Sequence, residues 1–241
     1  MRLLLSDSEF ELVTNPITGI VAAPLLSLRD AVRATGIKVP LSCIELASEH
    51  HENMEAPCAY GLTPDEIGAV HLYTQECPLY HELNALLRGR DRGKLKTCLS
   101  FMRLLVGAMH KLPKHAGRVF RGMTRHLADS VGDDKKGWPL DQAFPIGKKL
   151  VWWAASSTSL SIKTLEAFAG KVGRRTVFSI AAKNAVDVMA YSAFGASEKE
   201  WVLAPGAKLK VTGVADLGEV AMVELEEMGV PYTLMDFANE Q

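Results

Sequence analysis

Two glutamates two positions apart could do chemistry on a sugar. Glu198 and Glu200 flank Lys199, just before an apolar run that begins at Trp201. In an extended segment, residues two apart point to the same face, so both carboxylates would project into one space while Lys199 faces away. Such a pair can divide the work at a glycosidic bond, whose cleavage passes through an oxocarbenium-like transition state. Two charges on a loop are also typical of ordinary solvated surface.

An arginine at the end of a short apolar run is a candidate phosphate ligand. Arg121 follows Val119 and Phe120 and precedes Gly122. The planar guanidinium can hold a phosphate through two hydrogen bonds, as binding of a dinucleotide pyrophosphate requires. Gly122 would let backbone amides approach a ligand closely. Taken alone, Arg121 fits equally well as a solvated or salt-bridged side chain.

Three consecutive hydroxyl residues, 157–159, follow the apolar run 150–154. A hydroxyl at a strand end can orient a carboxylate on a neighbouring strand, and Ser157 is the candidate for that task. The same triplet is typical of a helix cap or a turn after a strand. The two interpretations can coexist.

The elements that must position these residues change type along the chain. Before residue 113 the sequence carries helix start and stop signals, and later it carries short apolar runs of strand length. The first predicted helix begins after Ser27, with Asp30 three residues on, and Gly36 ends it. The second begins after Thr63, which forms a capping box with Glu66, and has Pro64 at its first position. A third helix follows Pro78 and ends at Gly89, and a fourth begins at Leu95 and ends before Pro113. The predicted strands are 118–120, 150–154, 176–180, 201–203, 209–214 and 220–225. Helices followed by strands predict an α+β fold.

The first 60 residues are predicted to be an N-terminal extension of unassigned role. Residues 10–13 and 17–22 have the composition of a short hairpin around Asn15-Pro16 and Gly19. Residues 40–60 are polar and without period, which favours a loop or linker. We therefore expect a boundary between residues 1–60 and a main domain over 61–241.

Composition narrows the function classes. The 241 residues are 48% hydrophobic, enough to bury one core, and 27 basic against 28 acidic side chains give a net charge of −1. This balance argues against a nucleic-acid partner or a membrane-surface binder. No signal peptide or membrane-spanning run occurs, so we expect a soluble chain. The four cysteines lack C-x-x-C spacing and the histidines lack metal spacing; free thiols are favoured over two disulfides, and no metal is expected.

The arrangement resembles the arginine–serine–glutamate (R-S-ExE) class of mono-ADP-ribosyltransferases, which includes eukaryotic arginine-specific enzymes and bacterial toxins. The resemblance covers roughly Leu62 to Val211. It is carried by Leu72-Tyr73-Thr74, the run 83–88, Lys111-Leu112-Pro113, Val119-Phe120-Arg121-Gly122, Trp152-Trp153, the 157–159 triplet, the run 165–168, and Tyr191-Ser192-Ala193-Phe194 through Pro205-Gly206. It implies a helical N-terminal half packed on a two-sheet split-β core, with NAD+ as co-substrate in the cleft between the sheets.

The resemblance also implies roles at individual positions. Arg121 would hold NAD+ through phosphate and ribose, with Gly122 offering backbone contacts. Ser157 would position Glu200, which would stabilise positive charge as nicotinamide leaves. Glu198 would bind and help deprotonate an acceptor guanidinium.

Two phenylalanines complete the predicted site. Phe194 lies at the tip of the predicted substrate-recognition turn, 190–197, and Phe168 would pack on nicotinamide; a core role remains open for both. The predicted partners are NAD+ and a protein acceptor, and we expect a monomer that acts inside its own cell or in a target cell.

Transfer of ADP-ribose to arginine is thus the predicted function, with three alternatives. Water could be the main acceptor, which would make the chain an NAD+ glycohydrolase. Another side chain could be the acceptor. The chain could also be an inactive module that binds NAD+ without turnover.

Overall fold

The computed structural model describes residues 16–54, 59–123, 140–161, 175–195, 200–229 and 234–236. Helices come first in this part of the chain: α1 (Leu28–Thr35), α2 (Leu41–Glu49), α3 (Pro64–Thr74), α4 (Pro78–Arg88) and α5 (Leu99–Lys111). Seven strands and a short helix follow: β1 (Lys114–Met123), α6 (Leu140–Ala143), β2 (Lys149–Trp152), β3 (Ser156–Ser159), β4 (Arg175–Asp187), β5 (Glu200–Leu203), β6 (Ala207–Asp216) and β7 (Val220–Glu227). The mixed helix and strand composition agrees with the α+β prediction.

The capping signals fold as the sequence predicts. The Ser27 hydroxyl accepts the Asp30 amide proton at the start of α1, and Gly36 ends that helix with a φ of 74°. At α3 the capping box is complete, because Thr63 accepts from the Glu66 amide and Glu66 accepts from the Thr63 amide. These hydrogen bonds satisfy helix-terminal amides that no residue within the helix can reach.

The loop predicted over residues 40–60 is wrong. Residues 41–49 form α2, and a 3₁₀ turn (His50–Asn53) follows. No side chain caps α2 at its start, so local signals for this helix are weak. Ile44 and Ala47 are buried in the same apolar cluster as residues of α3, and this burial supplies the stabilisation that the sequence pattern did not reveal.

The hairpin predicted near the N-terminus is described only in its second arm, so its pairing stays a prediction. Its first arm, 10–13, lies outside the described residues, and its second arm contains an isolated bridge and a turn. Ile17 makes that bridge in parallel with Met235, and the Ile17 amide donates to the carbonyl of Leu234 at 2.9 Å. Asp236 accepts the amide protons of Gly19 and Ile20. Among the described residues, this segment therefore has a partner that is distant in sequence, which a hairpin signal could not indicate.

Strand pairing connects all seven strands in the order β1-β3-β5-β4-β7-β6-β2, with a further pairing between β1 and β4. β4 is shared: residues 175–181 pair in parallel with β7, and residues 186 and 187 pair with β5. β1 runs antiparallel to β4 over nearly its whole length. The predicted division into two sheets stays a prediction.

One strand has no counterpart in the sequence prediction. The hydroxyl triplet forms the body of β3, which pairs with β5 on one side and with β1 at Phe120 and Ser159. The triplet is therefore a strand and not a turn, although at its end Ser159 Oγ accepts the Ser161 amide proton at 3.2 Å. The residues that a helix cap would precede lie outside the described residues. Serine and threonine carry no apolar alternation, so this strand depends on its neighbours for its formation.

Apolar residues on opposite faces of the strands form two clusters. Val151 and Trp153 pack with the helices, whereas Leu150 and Trp152 pack with the second cluster, as the alternation of a strand requires. The helix-side cluster also joins residues on either side of position 60. The domain boundary placed there stays a prediction.

Gly68 in α3 provides a test of the packing of the N-terminal helices. A Cβ at this position would lie 2.6 Å from Leu28 Cδ2 and 2.9 Å from the Ala47 carbonyl oxygen. Alanine adds about 1 kcal/mol of helix propensity, but the backbone contact with α2 forces a rearrangement. We expect Gly68→Ala to lower the free energy of unfolding by about 1–3 kcal/mol in denaturant titration. An unchanged or increased value would show that α1 and α2 do not pack this closely on α3.

Candidate active site

The guanidinium of Arg121 lies at the junction of β1 and β3. Its side chain is almost fully buried, and Nη1 donates to the Ser157 carbonyl oxygen at 2.9 Å. The guanidinium carbon lies 5.4 Å from the ring centroid of Trp152. Burial of a cation is costly unless polar or anionic groups compensate it. The site is therefore suited to an anionic ligand held against a fixed, planar donor.

Glu200, the first residue of β5, supplies a buried carboxylate to the same site. It is 4% exposed, and Ser192 Oγ donates to its Oε2 at 2.9 Å. Burial raises the pKa of the Glu200 carboxyl, while hydrogen bonds from Ser157 and Ser192 and the charge of Arg121 act in the opposite direction. A carboxylate with a pKa perturbed by burial and by specific partners is characteristic of functional sites.

The β3–β5 ladder explains how Ser157 reaches Glu200. Ser159 pairs directly with Glu200, and Ser157 pairs with Val202. Because side chains two residues apart share a face, Ser157 is a diagonal neighbour of the Glu200 side chain. Thr158 alternates to the other orientation and its Oγ1 donates to the Trp201 carbonyl oxygen at 2.7 Å. The strand geometry thus excludes Thr158 from the Glu200 face, and of the two serines on that face Ser157 binds the carboxylate.

Ser192 is a site residue to which the sequence analysis assigned no role. It lies in the turn after β4, where its amide donates to the Val188 carbonyl oxygen at 2.8 Å. Besides donating to Glu200, its Oγ accepts the amide proton of Phe194 at 3.2 Å. A serine that bonds the backbone two residues on is a common turn signal, but its bond to Glu200 depends on the tertiary structure.

A tyrosine–asparagine pair from α3 and α4 borders the same region. Tyr73 Oη donates to Asn84 Oδ1 at 2.6 Å and lies 3.2 Å from the Ala155 carbonyl oxygen. Burial raises the pKa of Tyr73, and the charge of Arg121 partly offsets this effect, which indicates their proximity. Asn84 is 1% exposed, and its Nδ2 has no hydrogen-bond partner in the part of the chain that the structure describes. A buried amide donor of this kind is suited to a ligand acceptor.

The structure brings together three of the predicted residues: Arg121, Ser157 and Glu200. Gly122 follows Arg121 in β1, pairs with Val177 and is half-buried. Phe194 lies in the Ser192 turn and is 38% exposed. The remaining two predicted site residues, Glu198 and Phe168, lie outside the described residues. Their roles, like those of the residues above, stay predictions.

The described residues contain no group of three or more His, Cys, Asp or Glu side chains that could hold a metal ion. None of their helices combines the length and the apolar character needed to span a membrane.

Burial of Glu200 predicts that this residue reduces stability at neutral pH. The pKa of its carboxyl is higher in the folded than in the unfolded state. The protonated carboxyl therefore adds to the free energy of unfolding at pH values below the unfolded-state pKa, and this contribution is lost as the pH rises through the folded-state pKa. Glu200→Gln removes the charge and should raise the free energy of unfolding near pH 7 by on the order of 1 kcal/mol. The difference should disappear near about pH 3, where both side chains are neutral.

Glu219→Gln, at an exposed position, is the matched control for thermal unfolding at the two pH values. A Glu200→Gln variant that is less stable than the native chain at neutral pH would contradict this account.

Solved structures with the same fold are ADP-ribosyltransferases. HopU1 of Pseudomonas syringae pv. Tomato superposes with a TM-score of 0.63 at 20% identity, covering 83% of this chain and 96% of that chain. Vis of Vibrio splendidus, in complex with agmatine, superposes with a TM-score of 0.57 at 19% identity, covering 88% of this chain and 91% of that chain. Exoenzyme S from Pseudomonas aeruginosa, bound to carba-NAD and 14-3-3 protein, superposes with a TM-score of 0.52 at 20% identity, covering 76% of this chain and 88% of that chain. At these identities the comparison establishes the fold class.

The sequence itself supplies the family. Residues 41–231 match the family model for NAD:arginine ADP-ribosyltransferases. This match spans most of the chain, so the protein belongs to that family, whose co-substrate is NAD+ and whose reaction is mono-ADP-ribosyl transfer. A search of curated protein sequences gave no significant match.

Proposed function

We propose that this chain cleaves the bond between nicotinamide and ribose in NAD+ and transfers ADP-ribose to an arginine side chain of a protein. The observation that carries the proposal is the buried Glu200 carboxylate, bound by the hydroxyls of Ser157 and Ser192 beside the Arg121 guanidinium. This arrangement places one fixed negative charge and one fixed positive charge within a single site.

Glu200 is the proposed catalytic residue. As the bond to nicotinamide breaks, its electron pair leaves with nicotinamide and positive charge develops on the ribose. An ionised carboxylate beside the ribose stabilises that charge, and it does so most strongly where water is excluded. The two serine hydroxyls hold the carboxylate in place before the reaction, so little reorganisation is needed.

Arg121 is proposed to bind the pyrophosphate and ribose of NAD+. Its guanidinium is fixed by the Ser157 carbonyl oxygen and lies near Trp152, which leaves its donors in a defined orientation. Gly122 is proposed to present backbone groups to the nicotinamide amide, and Phe168 to pack on the nicotinamide ring. The buried Nδ2 of Asn84 is a further proposed donor to NAD+. We also propose that the strands form two sheets with NAD+ in the cleft between them.

Arginine is the proposed acceptor because of Glu198. If residues 198–200 are extended, the Glu198 carboxylate shares a face with Glu200 and can bind an incoming guanidinium. It would accept the guanidinium proton as the nitrogen forms its bond to the ribose carbon, with inversion at that carbon. Phe194, which is partly exposed, would contact the acceptor protein. The family's description names arginine, and the related Vis structure holds agmatine, a small guanidine.

The direct test measures nicotinamide release and agmatine modification by the native chain, Glu200→Gln and Glu198→Gln, with Glu219→Gln as control. We expect Glu200→Gln to slow nicotinamide release by roughly 10²–10³-fold, the usual effect of losing one preorganised electrostatic group. Glu198→Gln should abolish agmatine modification and retain part of the hydrolysis of NAD+.

The other outcomes distinguish the alternatives. Nicotinamide release by the native chain without modification of agmatine or protein would identify a glycohydrolase. A mapped modification on another residue type would identify a different acceptor. NAD+ binding without any release of nicotinamide would identify an inactive binding module.

The pH dependence follows from the raised pKa of Glu200. Because the ionised form is the active one, kcat/KM for nicotinamide release should rise with pH, with a midpoint above the usual glutamate pKa of about 4.3. Ser192→Ala removes a hydrogen bond that favours the ionised carboxylate, so it should move the midpoint to higher pH. A midpoint that stays in place or moves down in this variant would contradict the assignment.

A further inference from the structure

The turn that carries Ser192 is bound at its backbone by α3. Thr74 Oγ1, at the C-terminal end of α3, accepts the Ala193 amide proton at 2.9 Å. The same hydroxyl donates to α3 carbonyl oxygens, with the His71 oxygen at 2.9 Å, so its own orientation is fixed by the helix. One turn earlier, His71 Nδ1 lies 3.3 Å from the Tyr191 carbonyl oxygen.

The protonation of His71 makes that second contact a defined hydrogen bond. Burial and the nearby charge of His50 lower the pKa of His71 to about 4, so its ring is neutral at neutral pH. A carbonyl oxygen only accepts, so Nδ1 must carry the proton and Nε2 the lone pair. Nε2 has no partner among the residues that the structure describes. The bond to Tyr191 therefore selects the tautomer of His71.

Residues N-terminal to α3 extend the same support. His50, in the 3₁₀ turn after α2, stacks on His71 with ring centroids 4.0 Å apart. Its Nε2 lies 3.3 Å from the Ala190 carbonyl oxygen. Backbone groups of residues 190, 191 and 193 are thus held by His50, His71 and Thr74 respectively. Among the described residues, the side chain of the neighbouring His51 bonds locally, through Nδ1 to the Ser48 carbonyl oxygen.

A short path of hydrogen bonds runs from this support to the catalytic carboxylate. Thr74 fixes the Ala193 amide, and the adjacent Ser192 donates from Oγ to Glu200 Oε2. Ser192 Oγ also accepts from the Phe194 amide, so the exposed phenyl ring and the bond to Glu200 depend on one hydroxyl. A shift of the turn relative to α3 would move both together.

We propose that Thr74 and His71, with His50 stacked on His71, are positioning residues that hold the 190–194 turn so that Glu200 and the acceptor-contacting residue Phe194 keep their relative geometry. The catalytic consequence of this inference rests on the proposed function. The inference also gives His50, in the N-terminal part of the chain, a positioning role. Ala193 is exposed, so without the Thr74 hydroxyl its amide would bond to water and the turn would sample other positions. Transfer requires two correctly placed reactants and is more sensitive to such movement than hydrolysis, which needs only water.

The test compares Thr74→Val, which removes the hydroxyl at nearly constant volume, with Thr74→Ser, which keeps it. Amide hydrogen exchange is measured at Ala193, together with agmatine modification, NAD+ hydrolysis and thermal unfolding. We expect Thr74→Val to exchange the Ala193 amide faster and to lower the ratio of transfer to hydrolysis by roughly tenfold. Thr74→Ser should keep the exchange rate at Ala193 and the ratio of transfer to hydrolysis near their native values. The two variants should unfold near the native temperature.

A second pair tests the N-terminal contribution. His50→Ala should lower the ratio of transfer to hydrolysis in the same direction, while His51→Ala should leave it at the native value. Equal exchange at Ala193 in Thr74→Val and the native chain, or failure of Thr74→Ser to restore the ratio, would overturn the inference. If the native chain releases no nicotinamide, the proposed function fails, and the exchange rates alone decide whether α3 holds the turn.

Discussion

Two opposite charges, those of Arg121 and Glu200, are buried within one small region of this protein. The surrounding strands supply the polar groups that compensate for the loss of water around them. Arg121 and Glu200 are each nearly excluded from water, where an isolated charge would be strongly disfavoured. Their compensation comes from two serine hydroxyls and a strand carbonyl oxygen as well as from each other. Since burial still raises the pKa of Glu200, compensation is incomplete, and the site retains a carboxylate whose charge would be stabilised further by a cationic partner. In the proposed reaction, the developing charge on the ribose is such a partner.

This requirement accounts for the place of the short strand β3 in the strand order. It lies between β1, which carries Arg121, and β5, which begins with Glu200. From there its backbone accepts from Arg121 and its Ser157 side chain bonds Glu200. A strand with apolar residues in place of the hydroxyls would pair equally well but would remove the Ser157 hydrogen bond to the carboxylate. The serines of β3 therefore have a lower intrinsic preference for strand than apolar β-branched residues would have, and they are used here because the site needs a hydroxyl.

The helices preceding β1 form more than a cover for one face of the strands. Tyr73 and Asn84 border the region of Arg121, and Thr74 bonds the turn that leads to Glu200. Two neighbouring residues at the end of α3 thus contact two parts of the site, the surroundings of Arg121 and the turn beside Glu200. A helix is stiff because each of its residues is bound to the next turn, so it is a suitable support for that turn.

The sequence by itself determined the features that depend on neighbours a few residues away. The capping residues of α1 and α3, the interruption at Pro78 and the change from helices to strands were all predictable, because each rests on hydrogen bonds or side-chain periodicity within a few residues. Family resemblance also predicted Arg121, Ser157 and Glu200 as a group. The tertiary structure alone decided the strand conformation of β3, the helix α2, the pairing of Ile17 with Met235, and the bonds of Ser192 and Thr74. The last two bonds and the Ile17 pairing join groups brought together by folding, and α2 and β3 are stabilised by burial and by partner strands. No local pattern encodes such contacts, because their free energy exists only after distant segments have packed.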